Sequence, residues 1–255
     1  MTMINKTRGR HRRPKHHRLV AIPIAATGAA LLATTVGAPA DAAGTNRVGK
    51  WGCQATGLDL FGAQQFAVAN PPLSPCKADS QTVLSVPVAP LGLTAGVISA
   101  TTTISPSDMV GNNTAQAPAA TDGASASSYI AKVTIVNGTT TYTINGITAS
   151  VTSSCASGTP TLTAASSVAS VIKQPLLGPP QVIDISSSPN NDTISVPGLL
   201  TIHLNEQPFV QYTVGFNGGK RQMSNHAIRI SSALLPDITL GEATLIVDGN
   251  PCKAG

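Results

Sequence analysis

Aromatic residues are scarce in this chain of 255 residues, which has one Trp, three Tyr and four Phe. Surfaces that bind sugars or single-stranded nucleic acid usually stack their ligands on exposed rings. Most of the rings lie in or beside segments that alternate like strands, so we expect them to pack in a core. Trp51 is the ring we select as a candidate contact residue. The alternative is that it packs on a disulfide at the neighbouring Cys53.

Charge is also scarce, at 11% of the residues, and the bases are unevenly placed. Seven of the sixteen Lys and Arg residues precede Leu19, and three of the five His lie at positions 11, 16 and 17. Nine bases and ten acids remain after Ala42, so that part of the chain is close to neutral. Nucleic-acid binding needs a clustered basic face. We therefore expect no nucleic-acid partner.

Motifs that announce chemistry are missing as well. The chain has no G-x-S-x-G elbow, the motif typical of a Ser nucleophile. It has no C-x-x-C pair, which is typical of a metal site, and no complete Asp-x-Asp-x-Asp-Gly sequence, which is typical of a calcium loop. We therefore expect no catalytic, cofactor-binding or metal-binding residue. The candidates we weighed are His203 and His226 as bases, Asp237, Glu242 and Asp248 as a carboxylate pair for glycoside hydrolysis, and Asn191-Asp192 and Asp248-Gly249-Asn250 as calcium ligands. Sheet-surface hydrogen bonds, solvated acids and Asx turns explain them more simply.

What the chain does have, first, is an export signal. A cationic stretch over the first eighteen residues is followed by the apolar run Leu19–Val36. The run ends in Ala38-Pro39-Ala40 and Ala40-Asp41-Ala42, small-residue patterns that signal peptidase accepts. We predict a signal peptide over 1–42, with cleavage after Ala42. The alternative is an uncleaved membrane anchor, which is disfavoured by the two A-x-A patterns at the end of the apolar run.

The predicted mature region, residues 43–255, is expected outside the cell. Leu235-Pro236-Asp237-Ile238-Thr239 departs from a sortase signal, so we expect no covalent attachment to the cell wall. Release into the medium and non-covalent retention at the cell surface both remain open. We expect no membrane contact after cleavage, and an envelope polymer or another surface protein as partner.

All four cysteines, Cys53, Cys76, Cys155 and Cys252, lie in this exported region. An even number of cysteines in an oxidising compartment favours disulfides. Four cysteines allow three pairings, and we favour Cys53 with Cys76 and Cys155 with Cys252. The first would close a short Pro-bearing loop, and the second would tie down the C-terminus.

Composition and periodicity both indicate strands. The region is rich in Thr, Ser, Val, Ile and Gly, which disfavours helices and suits sheets. Val210–Phe216 alternates with period two, as half-buried strands do. In Ile238–Val247 the apolar positions change phase at Gly241-Glu242, which predicts a β-bulge. We expect one all-β domain, an antiparallel β-sandwich or a barrel-like sheet with long loops.

Turn residues divide the strands. Asn137-Gly138 predicts a type I′ hairpin, and Asn145-Gly146 and Asp248-Gly249 predict further turns. Residues 105–128 are small, polar and Pro-bearing, so we expect a mobile loop there. Gln174–Pro180 and Ser186–Asp192 are expected to be shorter connectors, and we find no fixed-period repeat.

Two groups of segments carry a family resemblance. Downstream they are Ile202–Gln207, a turn at Gly218-Gly219, Asn225–Ile230 and Ile238–Ala243; upstream they are Tyr142 and Ile147–Cys155, continuing to Leu162. In this order they resemble the C-terminal half of actinobacterial choice-of-anchor P proteins, over roughly residues 130–250. The resemblance implies an exported β-rich domain with variable C-terminal anchors and no assigned enzymatic activity. It carries over no functional residue.

We therefore expect an exported, non-enzymatic structural or binding domain at the cell surface or beyond it. Two alternatives stay open. One is a small secreted hydrolase acting on glycan or peptide, which needs His203 or His226 near a Ser, or two close carboxylates. The other is a carrier of a small apolar ligand, which needs an open interior.

Overall fold

Alternating apolar and polar residues organise most of the chain into β-strands. The computed structural model describes residues 45–88, 92–183, 185, 192–196, 200–213, 219–232 and 237–255, which belong to one compact unit. In these residues the structure is all-β, and none of them forms a helix that could cross a membrane. The predicted signal peptide and its cleavage site at Ala42 lie outside the described residues.

The described residues form sixteen strands. In chain order they are β1 (Thr45–Asn46), β2 (Lys50–Leu60), β3 (Gln64–Ala69), β4 (Asp79–Val83), β5 (Val86–Val88), β6 (Leu93–Ala95), β7 (Ile98–Ser105), β8 (Asn113–Thr114), β9 (Gly123–Asn137), β10 (Thr140–Ser154), β11 (Thr161–Pro175), β12 (Gln181–Ile183), β13 (Asp192–Val196), β14 (Leu200–Thr213), β15 (Lys220–Ser232) and β16 (Ile238–Asp248).

Two antiparallel sheets contain most of these strands. Sheet A has the order β12-β11-β10-β9; the other edge of β9 pairs with β7 and then with β6, which pair in turn with β4 and β5. Sheet B has the order β13-β14-β15-β16-β2-β3, so its N-terminal strand β2 lies beside the last strand of the chain. The small strands β1 and β8 form a separate ribbon.

The sheets pack face to face, with β9 and β10 of sheet A against β16 and β2 of sheet B. Each sheet contributes fully buried aliphatic side chains, among them Ile130 and Ile147 from sheet A and Leu58 and Leu240 from sheet B. The buried Asn225 of β15 crosses the core and donates hydrogen bonds from Nδ2 to the carbonyl oxygens of Ser150 (3.2 Å) and Ala165 (2.7 Å). The architecture is the predicted β-sandwich, and the two sheets do not close into a barrel in the described residues.

The phase change in β16 is real, but the predicted bulge is wrong. A bulge adds a residue to one strand of a pair and shifts the register. Here Leu240 pairs with Ile228 and Glu242 pairs with His226, so the register is unchanged across Gly241. The neighbouring strands change phase at the same level, at Ala227 and Gly57, which keeps the apolar residues of all three strands buried. Gly241 makes the change possible because its φ is +73°, a value that other residues adopt only with strain.

Sheet A repeats this arrangement at Gly146, where φ is +59°. Asn145-Gly146 was predicted to be a turn, but it lies in the middle of β10. The inward residues of β10 change there from even to odd numbers, as Tyr142 and Ile144 give way to Ile147 and Ala149. At Gly146, the glycine that predicted a turn therefore marks a change of face within a strand.

The other predicted turns and loops differ from the structure in position, type or length. Asn137 pairs with Thr140, so the hairpin loop consists of Gly138 and Thr139. Gly at the first central position with φ +57° fits a type II′ turn, and the predicted type I′ turn at Asn137-Gly138 is wrong. The loop predicted at 105–128 is shorter, because β7 ends at Ser105 and β9 begins at Gly123. Asp248-Gly249 does form a turn, with β16 ending at Asp248.

Both disulfides follow the pairing favoured from the sequence. Cys53 is bonded to Cys76, and Cys155 is bonded to Cys252. The first bridge joins β2 of sheet B to the Pro-bearing segment before β4, and the second joins the end of β10 to the C-terminal tail. Disulfides of this kind are consistent with an oxidising, extracellular location.

Candidate functional site

His203 lies on the outward face of sheet B, within reach of a serine. Its Nε2 is 3.1 Å from Oγ of Ser231 on the neighbouring strand β15. The residue opposite His203 on β15 is Arg229, a cation, whereas a Ser–His–Asp arrangement needs a carboxylate to orient the imidazole. The pair therefore matches a hydrogen bond on a sheet surface better than a nucleophile with its base.

His226 also lies on this outward face, paired with Glu242 across β15 and β16. The His226 Nε2 and Glu242 Oε1 atoms are 3.7 Å apart, and both side chains are about 30% exposed, at 31% and 28%. Ser224, two residues before His226, shares a hydrogen bond of 2.9 Å with Thr244 instead. These polar pairs cover the middle of sheet B.

The carboxylates that we considered for glycoside hydrolysis are too far apart. Asp237 precedes β16, Glu242 lies in its middle and Asp248 ends it. At about 3.3 Å per residue, Asp237 and Glu242 are separated by about 16 Å, and Glu242 and Asp248 by about 20 Å. A glycosidase pair requires about 5 to 10 Å. Asp237 instead faces Arg229, with 3.4 Å between its Oδ2 and the Arg229 Nη1.

The calcium-loop candidates do not assemble a site. Oδ1 of Asn250 accepts a hydrogen bond of 3.0 Å from the Cys252 backbone N–H, which is an Asx turn. Asp192 lies in β13, where its side chain is not described, and Asn191 lies outside the described residues. Within the described part of the chain, no group of three His, Cys, Asp or Glu residues could hold a metal ion.

Trp51 is not a contact residue, because its side chain is 0% exposed in the core. Its Nε1–H donates a hydrogen bond of 3.1 Å to Oγ of Ser153. Among the rings whose burial the structure describes, the exposed one is Tyr129 of β9, with 43% of its surface accessible. The expectation that Trp51 faces a ligand therefore fails, since a fully buried indole can only stabilise the fold.

Tyr129 lies on a surface of sheet A that consists almost entirely of hydroxyl side chains. Pairing places it between Ser99 of β7 and Thr148 of β10, with Ser167 of β11 next in the row. We call this surface the hydroxyl face. Its members, all Ser or Thr except Tyr129 and Ala165, are Ser80, Thr82, Ser99, Thr101, Thr103, Ser105, Ser125, Ser127, Tyr129, Thr148, Ser150, Thr152, Ser154, Thr161, Thr163, Ala165 and Ser167.

Strand geometry makes the hydroxyl face a regular array. Neighbouring strands lie about 4.8 Å apart, and outward residues along a strand are spaced by about 6.7 Å. Several hydroxyls bond to their cross-strand neighbours, with oxygen separations of 2.7 Å for Thr103 and Ser125 and 2.6 Å for Thr152 and Thr163. Each such pair uses one proton and keeps the other, so the face offers both donors and acceptors.

The hydroxyl face and the outward face of sheet B differ in charge, although Lys132, three residues after Tyr129 in β9, is exposed beside the hydroxyl face. The hydroxyl face, as defined, contains no ionisable group other than the Tyr129 phenol. The outward face of sheet B includes His226, Glu242 and Arg229. The hydroxyl face itself therefore offers hydrogen bonds and a ring surface rather than ion pairs.

A cleft of about 420 Å³ opens at one end of the hydroxyl face. We call it the hydroxyl cleft. It lies where β7 ends, β9 begins and β10 ends, and it is shallow and wide open to solvent. Its polar lining comprises Thr103, Ser105, Thr121, Asp122, Ser125, Thr152, Ser153 and Ser154.

A buried ion pair supports this cleft from beneath. Nη1 of Arg47 lies 2.7 Å from Oδ2 of Asp122, and the side chains are 0% and 5% exposed. Arg47 Nη1 also donates to the Pro251 carbonyl oxygen at 2.9 Å. The Asp122 carbonyl oxygen accepts a hydrogen bond of 3.0 Å from Cys155 N–H, next to the disulfide. The N-terminal ribbon, the cleft wall and the C-terminal tail therefore meet at one point.

Two other carboxylates are held ionised by hydrogen bonds from their surroundings. The backbone N–H of Asn70 lowers the pKa of Asp79, with smaller contributions from Gln81 and Ser80. The backbone N–H of Ala115 and the Thr114 hydroxyl lower the pKa of Asp108. Asp79 lines a smaller cleft of about 250 Å³ whose walls include Pro71, Pro72 and Pro75. Both carboxylates stabilise loops, because their hydrogen bonds bridge residues within one loop.

Comparison with protein-family models, with curated proteins and with solved structures found no match to this chain. The hydroxyl face and the hydroxyl cleft are therefore assessed by their own geometry. Our search for catalytic motifs missed both. The signal was present as Ser or Thr at alternate positions, at 125 and 127 in β9, at 148, 150 and 152 in β10, and at 161 and 163 in β11.

Proposed function

We propose that this chain is an exported, non-enzymatic binding domain that holds a neutral polysaccharide of the cell envelope on its hydroxyl face. The observation that carries the proposal is the array of Ser and Thr hydroxyls around the exposed Tyr129 ring. A sugar polymer presents hydroxyls and apolar ring faces in alternation, and this surface offers partners for both. We also propose that the chain belongs with the choice-of-anchor P proteins it resembles.

The lack of charge on this face supports a neutral ligand. An anionic polymer would lose hydration on the face without gaining an ion pair, which disfavours its binding. A protein partner is recognised mainly through buried apolar and Arg anchors, whereas the hydroxyl face supplies one aromatic ring. A neutral, hydroxyl-bearing polymer is the occupant that fits both observations.

The alternatives are less well supported by the same structure. A hydrolase needs two close carboxylates or a Ser–His pair oriented by a third carboxylate. His203 does contact Ser231, but the residue opposite it is Arg229, and Asp237, Glu242 and Asp248 are far apart. A carrier of an apolar ligand needs an enclosed apolar cavity. Buried side chains such as Ile147, Leu240 and Leu245 occupy the space between the sheets, and the clefts at Asp79 and Asp122 are open to solvent rather than enclosed.

Export is tested by intact mass. The full gene is expressed in the producing cells, and protein is recovered separately from the medium and from washed cells. We expect a mass lacking residues 1–42, with alkylation of the four cysteines only after reduction. The full precursor mass confined to cells would show that the Leu19–Val36 segment is an anchor and would overturn export.

Binding is tested with the exported chain, protein-free cell walls of the producing cells, and cellulose as a reference neutral polymer. We expect the double variant Tyr129→Ala/Thr148→Val to bind walls at least about tenfold more weakly, because it removes one ring contact and one hydroxyl, together worth about 1.4 kcal/mol or more. Depletion of protein from the supernatant measures the affinity.

The matched control is Thr201→Val/Thr239→Val, which removes two hydroxyls from the outward face of sheet B. It should bind walls like the unmodified chain. Equal binding by both double variants, or loss of binding in about 1 M salt, would refute the hydroxyl face as the site, since salt weakens electrostatic contacts and leaves neutral ones.

A further inference from the structure

Two adjacent leucines at the end of sheet A are almost fully exposed to solvent. Leu176 and Leu177 belong to the connection from β11 to β12, and their side chains are 74% and 89% exposed. Among the residues whose burial the structure describes, Leu177 is the most exposed large hydrophobic side chain. Single exposed apolar residues are normal on a protein surface, but adjacent ones on a projecting turn indicate a contact site.

The leucines project beyond the neighbouring hairpin of sheet A. Thr140 of β10 pairs with Pro175 of β11. Leu176 therefore lies opposite Thr139, whose carbonyl oxygen accepts a hydrogen bond of 2.6 Å from the Leu176 N–H. Leu177 lies one residue further out than this contact. We call the exposed residues at this end the leucine tip, which consists of Gly138, Thr139 and Leu176–Pro180.

Much of the backbone of the leucine tip is satisfied without water. Pro175, Pro179 and Pro180 have no N–H that needs an acceptor. The Gln174 side chain donates hydrogen bonds from Nε2 to the carbonyl oxygens of Pro175 (3.0 Å) and Gly178 (3.1 Å). Wherever a chain enters the hydrocarbon of a bilayer, its backbone polar groups must be satisfied within the protein. The tip therefore combines apolar side chains with a backbone suited to an apolar environment.

The strands that support the leucine tip are cationic. Residues 123–183, which form β9–β12, include no Asp or Glu and two cations, Lys132 and Lys173. Lys173 lies two residues before Pro175, about 7 Å along β11, and is partly exposed. The next acid along the chain, Asp184, lies outside the described residues. An anionic surface at the tip would therefore meet a nearby cation and no carboxylate of β9–β12.

A lipid surface fits these features better than a protein partner does. Protein interfaces depend on anchors such as Trp, Tyr and Arg that fill pockets, and leucine is under-represented among these anchors. A projecting tip needs a matching groove on a protein, whereas the interface of a bilayer accommodates an apolar surface without one. The cation Lys173 also matches the negative surface potential of a bilayer with anionic lipids.

We propose that the leucine tip inserts into the interface of a bilayer that contains anionic lipids, with Leu176 and Leu177 among the acyl chains and Lys173 at the headgroups. The contact is reversible, because two leucines bury far less apolar surface than a membrane-spanning helix does. It differs from the sequence-based expectation of no membrane contact after cleavage. It is independent of polysaccharide binding, because the hydroxyl face occupies the opposite halves of β9, β10 and β11.

The test is co-sedimentation of the exported chain with vesicles of phosphatidylcholine alone and of phosphatidylcholine mixed with phosphatidylglycerol. We expect binding to both, about fivefold stronger to the mixed vesicles at low salt, which is the contribution of one Lys near an anionic surface. Leu176→Ser/Leu177→Ser should bind mixed vesicles at least about tenfold more weakly, because apolar burial is lost. Lys173→Gln should lose the preference for mixed vesicles and bind phosphatidylcholine like the unmodified chain.

The matched control is Leu84→Ser/Val110→Ser, which removes two exposed apolar side chains elsewhere on the surface. Leu84 and Val110 are 76% and 72% exposed, and this variant should bind vesicles like the unmodified chain. Insertion is measured separately with Leu177→Trp, whose tryptophan emission should shift to shorter wavelength when mixed vesicles are added. The emission of Leu84→Trp should not shift.

Four results would each overturn the proposal. They are no vesicle binding by the unmodified chain, equal binding by Leu176→Ser/Leu177→Ser and Leu84→Ser/Val110→Ser, an unshifted Leu177→Trp emission, and a full preference for mixed vesicles in Lys173→Gln. A lipid-free dimer that Leu176→Ser/Leu177→Ser abolishes would assign the tip to a second copy of the chain and would also overturn it. If the double variant lowers the melting temperature, Leu177→Ser alone replaces it.

Discussion

Replacing Asp122 with alanine is expected to lower the free energy of unfolding by about 3–5 kcal/mol. The change leaves the guanidinium of Arg47, which is 2% exposed, buried without its counter-ion, and an uncompensated buried charge costs about that much. In a domain of this size each kcal/mol lowers the melting temperature by about 2–4 °C. Urea unfolding followed by circular dichroism measures the loss, together with the shift in melting temperature.

Asp237→Ala provides the matched control, because it removes the carboxylate from another Arg–Asp pair of the same sandwich. The Arg229 and Asp237 side chains are 37% and 46% exposed, so we expect a loss below about 1 kcal/mol. The double variant Arg47→Met/Asp122→Leu should recover much of the loss, since it removes both buried charges. Equal losses for Asp122→Ala and Asp237→Ala would show that the Arg47–Asp122 pair does not support the fold.

Removing the Cys155–Cys252 bridge is expected to destabilise the chain more than removing the Cys53–Cys76 bridge. Cys155 and Cys252 are 97 residues apart in the chain, and Cys53 and Cys76 are 23 residues apart. Chain entropy predicts losses of about 4.7 and about 3.4 kcal/mol, because a longer loop restricts the unfolded chain more. The variants are Cys155→Ala/Cys252→Ala and Cys53→Ala/Cys76→Ala, each compared with the oxidised parent by urea unfolding.

The same comparison has a structural readout. Cys155 N–H donates a hydrogen bond to the Asp122 carbonyl oxygen, so the Cys155–Cys252 bridge lies against the hydroxyl cleft. We expect its loss to weaken wall binding more than loss of Cys53–Cys76 does, because only Cys155 adjoins the end of β10, whose outward residues belong to the hydroxyl face. A larger loss of stability on removing Cys53–Cys76 would contradict the chain-entropy account.

The hydroxyl face shows how a sheet without charge can still be specific. A central Tyr129 ring is surrounded by hydroxyls that bond in cross-strand pairs, such as Thr148 and Ser167 at 2.6 Å. Pairing fixes the side-chain orientations before a ligand arrives, which reduces the entropy lost on binding. This ordering supports the proposed neutral ligand.

Local patterns predicted the elements well where one residue property decides the outcome. Alternation placed β14, β15 and β16, and the even cysteine count predicted two disulfides, whose favoured pairing among the three possible ones is confirmed. The glycine signals were less specific. Gly146 and Gly241 both provide a positive φ, which a turn and a change of face within a strand require equally. Only the neighbouring strands, which change face at the same level, distinguish these two outcomes.

For the candidate site residues, too, the local sequence did not predict which side chains are exposed. Trp51 was selected because it is rare and lies near a predicted disulfide, yet the burial of its side chain depends on sheet A covering sheet B. Tyr129 was expected to pack in the core, yet its position between Ser99 and Thr148 places it outward. Which side of a strand faces solvent depends on the register of its neighbours, and a single strand does not contain that information.

The sequence by itself determined the all-β class, the export signal as a prediction, the favoured disulfide pairing and the absence of recognised catalytic motifs, because each depends on composition or on residues close together in the chain. Only the tertiary structure decided that the sheets form a sandwich, that Arg47 meets Asp122, and that hydroxyls from β7, β9, β10 and β11 form one face. These contacts join residues far apart in sequence, and strand pairing together with the packing of one sheet on the other brings them together.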